Sequence, residues 1–161
     1  MIRYTTKPDK VISPPNCFSE AIDMALADLA AVAANPNYKV DMMSWHQPLH
    51  GTSTCAVCFA GSVIANRLGA APDEVLVPAI VARTFPGWQF PLLALDDLRR
   101  GRIEEATAEW PDGFKSPDYS AEAAEDEFLS TMDMPEYDRA NPEEFFMAMA
   151  TLSAYLKEIG S

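Results

Sequence analysis

The chain has 161 residues, of which 48% are hydrophobic, and a formal net charge of −12 at pH 7. This size and apolar content fit one domain spanning residues 1–161, and the longest apolar stretches, residues 56–65 and 75–82, are too short to cross a bilayer. Residues 1–10 lack the apolar core of a secretory signal, and the three cysteines are an odd number. We therefore expect a cytoplasmic protein with free thiols and no membrane partner.

The first predicted helix follows an extended N-terminal arm, residues 1–16. Apolar residues then recur at spacings of 4, 3, 4 and 3, which is the pattern of a helix with one buried face, until Asn35-Pro36 ends it. The predicted buried stripe consists of Phe18, Ile22, Ala25, Leu29 and Val32.

A second helix is predicted for residues 54–68, where nearly every residue is apolar or small and Gly69 supplies a stop. This composition predicts the central buried helix. Residues 38–46 are short and ambiguous between strand and loop, and residues 91–100 predict a short helix. The three tryptophans, Trp45, Trp88 and Trp110, lie in or beside predicted loops and are expected to be buried.

Two helices are predicted in the C-terminal third. The helix at residues 120–132 would turn Glu122, Asp126 and Asp133 outward. The last helix begins with Asn141 as N-cap and Pro142 at its first position, and its buried stripe again follows the 4, 3, 4, 3 spacing. That stripe consists of Phe145, Met149, Leu152, Leu156 and Ile159. The sequence thus predicts a mainly α, single-domain helical bundle with at most a small β element.

Charge is distributed very unevenly along the chain. Residues 1–100 contain nine acids and eight bases, whereas residues 103–144, the acidic segment, hold 14 of the 24 acids against Lys115 and Arg139 alone. Such a segment attracts basic surfaces and repels nucleic-acid phosphates, so we expect a basic protein partner and no direct nucleic-acid binding. An acidic surface that only maintains solubility is the alternative. The expected partner-binding acids are Glu104, Glu105, Glu109, Glu122, Asp126 and Asp133.

Candidate metal chemistry is concentrated between residues 46 and 58. His46, His50, Cys55 and Cys58 are the ligand types that tetrahedral Zn²⁺ prefers. Pro48, however, prevents the two histidines from sharing a helical face, and the spacing matches no zinc-finger pattern. We therefore expect no metal and no other cofactor, with Cys58 as a small core residue, and keep zinc binding as an alternative.

A nucleophilic cysteine is the second chemical alternative. Cys55 follows Thr52-Ser53-Thr54 at a predicted helix start, where the helix dipole lowers a thiol pKa, and residues 55–60 superficially resemble the run around a papain-type catalytic cysteine. Papain-like enzymes need a histidine far downstream, and the chain has none after His50. No phosphate loop, serine-hydrolase elbow or His-Glu-x-x-His motif is present either, so we expect a non-enzymatic protein.

Two stretches of the chain resemble segments of small uncharacterised proteins encoded by tailed bacteriophages. They are residues 55–65, CAVCFAGSVIA, and residues 92–101, LLALDDLRRG. The resemblance covers about the central third of the chain and brings no activity or site residues with it. It implies an effector that acts in the host cytoplasm by inhibiting or redirecting a host protein, such as a nucleic-acid-binding machine or a defence complex. A virion or assembly component is a further alternative, and the apolar stripes leave a homodimer open.

Overall fold

The computed structural model describes residues 11–41, 46–49, 51, 54–69, 78–99, 142–158 and 160. Within these residues the chain forms five helices and one small sheet, which confirms the mainly α fold. The predicted helix at residues 120–132, Ile159, Trp45 and Trp110 lie outside the described residues. In chain order the elements are α1 (Phe18–Ala33), β1 (Tyr38–Val40), β2 (His46–Pro48), β3 (Cys55–Val57), α2 (Phe59–Leu68), α3 (Pro78–Thr84), α4 (Gln89–Arg99) and α5 (Pro142–Glu158).

Helix α1 starts and ends where its sequence predicts. The residue before it, Cys17, has extended backbone, and the carboxylate of Glu20 in the first turn accepts a hydrogen bond from the backbone N–H of Asn16 at 2.6 Å. The five predicted stripe residues of this helix are all buried. They face α2 and α5, which both pack against α1, so α1 is central to the described core.

The sheet holds three short strands in the order β1-β3-β2. Strand β3 lies in the middle, parallel to β1 and antiparallel to β2, and its three residues are fully buried. The prediction of a helix from residue 54 is therefore wrong over its first turn. Pairing on both edges satisfies the backbone groups of β3, and this tertiary pairing overrides the helical pattern of the local sequence.

Cys58 marks the switch from strand to helix. Its backbone is extended, and its Sγ accepts a hydrogen bond from the N–H of Gly61 at 3.4 Å, so the thiol caps the N-terminus of α2. The helix ends at Gly69, whose φ of 70° places it in the left-handed region that glycine adopts readily.

The remaining helices close the core around α1 and α2. Helix α4 packs against α2, and α5 brings Phe145 edge-on to Phe59 with ring centroids 4.8 Å apart. Trp88, just before α4, is fully buried as predicted, and its Nε1–H donates to the carbonyl of Ile12 at 3.0 Å. That bond attaches the N-terminal arm to the core. None of the helices in the described part of the chain is both long and apolar enough to cross a membrane.

Candidate functional site

The two cysteines of the candidate metal and nucleophile sites are buried in the protein core. Cys55 lies in the central strand and Cys58 at the N-terminus of α2, and neither side chain is exposed to solvent. Burial raises the pKa of the Cys55 thiol to about 11. Burial likewise raises the pKa of Cys58 to about 11, although the Gly61 hydrogen bond and the charge of Arg99 oppose the shift. Both thiols are therefore protonated at neutral pH.

This environment corrects the prediction made for Cys55. The sequence placed it at a helix start, where the dipole would lower its pKa, but it lies within β3 and its pKa is raised. A reactive cysteine needs a thiolate in a partly exposed, electropositive setting. Cys55 has neither the exposure nor the charge state for that role.

The candidate zinc ligands are only partly within the described structure. Strand β2 pairs His46 with Val57 and Pro48 with Cys55, but the side chain of His46 and the whole of His50 lie outside the described residues. Within the described part of the chain, no group of three His, Cys, Asp or Glu side chains is placed to hold a metal ion. A zinc site there would also require both buried thiols to ionise.

The interfaces of α1 carry two ion pairs that the sequence pattern did not single out. Asp28, buried on α1, accepts from Arg67 Nε at 2.6 Å and from Asn66 Nδ2 at 2.8 Å, both on α2. On the other side, Asp23 lies 2.6 Å from Lys157 Nζ of α5. The sequence could not show that Asp23 and Asp28 are ion-pair partners, because charge spacing in one helix does not reveal a base on another.

The expected partner-binding acids are not placed by the structure. Glu104, Glu105, Glu109, Glu122, Asp126 and Asp133 all lie outside the described residues. Of the acidic segment, only its last residues fall within a described element, the first turn of α5, where Glu143 is exposed. No protein-family model, curated protein or solved structure matches this chain. What the protein does is therefore inferred from the chemistry of its own residues.

Proposed function

We propose that this chain is a non-enzymatic binding protein that docks its acidic segment onto a basic surface of another protein and inhibits or redirects that protein. The observation that carries the proposal is the charge asymmetry: residues 103–144 hold 14 acids and two bases, while the whole chain has 24 acids and 12 bases. Most carboxylates of this segment cannot find a base within it. An excess of this kind attracts a basic surface over a distance of about 10 Å at moderate salt.

Charges elsewhere in the chain are used differently, and this contrast supports the proposal. Asp23 pairs with Lys157, Asp28 with Arg67, and Asp96 with Arg99. These acids neutralise bases of the same fold: the first two pairs join α1 to neighbouring helices, and the third lies within α4. The excess negative charge is thus a property of the acidic segment and is separate from the ion pairs of the described helices.

The partner best suited to such a segment is a basic nucleic-acid-binding protein. Carboxylates spaced along a surface stand in for backbone phosphates, and their binding releases the counterions that DNA binding would release. The resemblance to phage proteins supplies the setting, the cytoplasm of a bacterial host. Duplex DNA and this protein would then compete for one basic groove.

The cysteines support a binding role more than an enzymatic one. Their buried, protonated thiols lack the two properties of a catalytic cysteine, which are exposure and a lowered pKa. Solubility remains the competing explanation of the acidic segment, and the experiment must separate it from partner binding.

The test begins with capture of partners from a bacterial lysate, with elution resolved by salt. We expect one basic nucleic-acid-binding protein to dominate, to elute at moderate salt and to be displaced by duplex DNA. The triple variant Glu122→Lys, Asp126→Lys and Asp133→Lys changes the charge by six units. It should fold normally and lose this partner.

A charge-matched control decides between a specific surface and net charge. The variant Asp73→Lys, Glu74→Lys and Glu158→Lys changes the charge by the same six units outside the acidic segment. It should keep the partner. If both variants weaken partner binding equally, the attraction depends on net charge alone. If the first variant keeps its affinity for the partner, these acids serve solubility. Recovery of virion proteins alone would favour the assembly alternative.

A further inference from the structure

A cleft of about 290 Å³ lies where α1 and α2 both end. Its polar lining comes from the turn that joins α1 to β1 and from the last turn of α2: Asn35, Asn37, Tyr38 and Asn66. None of the cleft's lining residues carries a charged side chain. The volume suits a small polar ligand or a single inserted side chain, at the lower end of the range for ligand sites.

Small residues give the cleft its depth. Ala31 on α1 and Ala65 and Gly69 on α2 line it without filling it. Gly69 is held in the left-handed conformation by the αL cap of α2, in which its N–H donates to the carbonyl of Ala65 at 3.0 Å. The cleft is therefore a consequence of how both helices end.

Two helix C-termini at one cleft make it electronegative. The last carbonyls of a helix carry about half a negative charge, which favours cations within the final turn. The nearest base on α2, Arg67, is held 2.6 Å from Asp28 Oδ2, which offsets its repulsion of a cation.

Two of the amide side chains that line the cleft, those of Asn35 and Asn66, are oriented by their own hydrogen bonds. Asn66 donates through Nδ2 to Asp28 at 2.8 Å, so its Oδ1 remains as an acceptor. Asn35 Oδ1 accepts from the backbone N–H of Asn37 at 3.0 Å, which fixes the turn that places both residues at the cleft. Tyr38 is the aromatic residue of the lining, and an aromatic ring attracts a planar cation.

We propose that this cleft binds a guanidinium group. Guanidinium is planar, positively charged and made only of donors, which matches carbonyl and amide acceptors beside an aromatic ring. The same group is available from a small free guanidine compound and from an arginine side chain of a protein. This inference does not rest on the proposed function, because it uses no residue of the acidic segment.

The test uses butylguanidinium and its neutral isostere butylurea with the full-length, ¹⁵N-labelled protein. We expect butylguanidinium to shift the side-chain amide signals of Asn35, Asn37 and Asn66 and to bind at least about tenfold more tightly than butylurea. Equal affinity for the two compounds, or no shift at these amides, would overturn the proposal. A short peptide whose only charged side chain is a central arginine forms a second arm of the test. Tighter binding of the peptide would identify a protein as the source of the guanidinium group, and tighter binding of butylguanidinium would identify a small molecule.

Two matched variants separate the cleft from general attraction to an acidic protein. Ala31→Leu places a larger side chain at the cleft, whereas Ala30→Leu adds the same side chain at the neighbouring exposed position, which does not line it. Both substitutions retain a good helix former on an exposed position and should fold. Ala31→Leu should abolish the amide shifts and Ala30→Leu should leave them unchanged. Shifts that survive Ala31→Leu would show that the cation binds elsewhere.

Discussion

Asp28 and Arg67 join α1 to α2 through a contact of 2.6 Å between Oδ2 and Nε. The two side chains are unequally placed: that of Asp28 is 5% exposed and that of Arg67 is 28% exposed. Arginine can therefore reach solvent with a small movement, but the carboxylate cannot. Removing Asp28 and removing Arg67 should therefore reduce the stability of the protein by different amounts.

We predict that Arg67→Met destabilises the protein more than Asp28→Asn does. Loss of the arginine leaves a buried carboxylate held by Asn66 alone, which should cost about 2 to 3 kcal/mol. Asp28→Asn leaves a neutral side chain that still accepts from Asn66, while Arg67 turns to solvent, and should cost about 1 kcal/mol. Urea unfolding of both variants measures the difference. A smaller loss for Arg67→Met would contradict the asymmetry.

The buried stripe of α5 gives the second prediction. Leu152 is fully buried in the core, so Leu152→Ala should cost about 2 to 5 kcal/mol through lost apolar contacts and a cavity. Glu158, exposed at the end of the helix, provides the control, and Glu158→Ala should be nearly silent. Thermal unfolding and sedimentation are measured together. Unchanged thermal stability with a changed sedimentation coefficient would make the stripe an oligomer interface.

Helices α1 and α5 were predictable from the sequence because the buried face of each repeats within a single element. The stripes of α1 and α5 follow such a repeat, and each described member of both stripes is buried. Strand β3 was not predictable, because residues 55–57 are uniformly buried and carry no period that separates a strand from a buried helix. The pair Asp28–Arg67 and the cleft between α1 and α2 depend on contacts between residues that are far apart in the sequence, which no local pattern contains.

Cys55 and Cys58 should respond in opposite ways to the same two substitutions. Serine is a favoured N-cap residue, so Cys58→Ser keeps an acceptor for the N–H of Gly61, and Cys58→Ala removes it at a cost of about 1 kcal/mol. At Cys55, in the buried strand, serine introduces a hydroxyl that costs about 1 to 3 kcal/mol, and alanine should be milder. Chemical denaturation of the four variants measures this crossed order. If alanine were milder than serine at both positions, the cap formed by Cys58 would contribute nothing to stability.

The solvent accessibility of the three thiols gives a prediction that also tests whether the protein binds zinc. Cys17 is partly exposed and should react with a thiol reagent in the native protein, whereas buried Cys55 and Cys58 should react only on unfolding. A strong chelator should change neither the number of reactive thiols nor the thermal stability. Release of about one equivalent of zinc, with new thiol reactivity after chelation, would establish the site formed by His46, His50, Cys55 and Cys58.

The ion pair between Asp23 and Lys157 should stabilise the packing of α5 at neutral pH and lose this effect at acid pH. Burial raises the pKa of Asp23, but hydrogen bonds from Lys157 and Ser153 and the charge of Lys157 outweigh it, so the pKa lies below its ordinary value of 3.8. Ser153 Oγ donates to Asp23 Oδ1 at 2.6 Å. Because the native pKa is lower than the unfolded one, the carboxylate contributes its full stability above the unfolded pKa and loses it as pH falls through the native pKa.

Asp23→Asn should therefore destabilise at neutral pH and not at pH 2. The side chains of Asp23 and Lys157 are 44% and 56% exposed, so solvent screening limits the neutral-pH loss to less than about 1 kcal/mol. Lys157→Met removes the other partner of the pair and should show the same pH dependence. Urea unfolding from pH 7 to pH 2 measures both variants against the parent protein. A loss in Asp23→Asn that stays constant down to pH 2 would mean that the hydrogen-bonding shape of the side chain, and not its charge, holds α5 against α1.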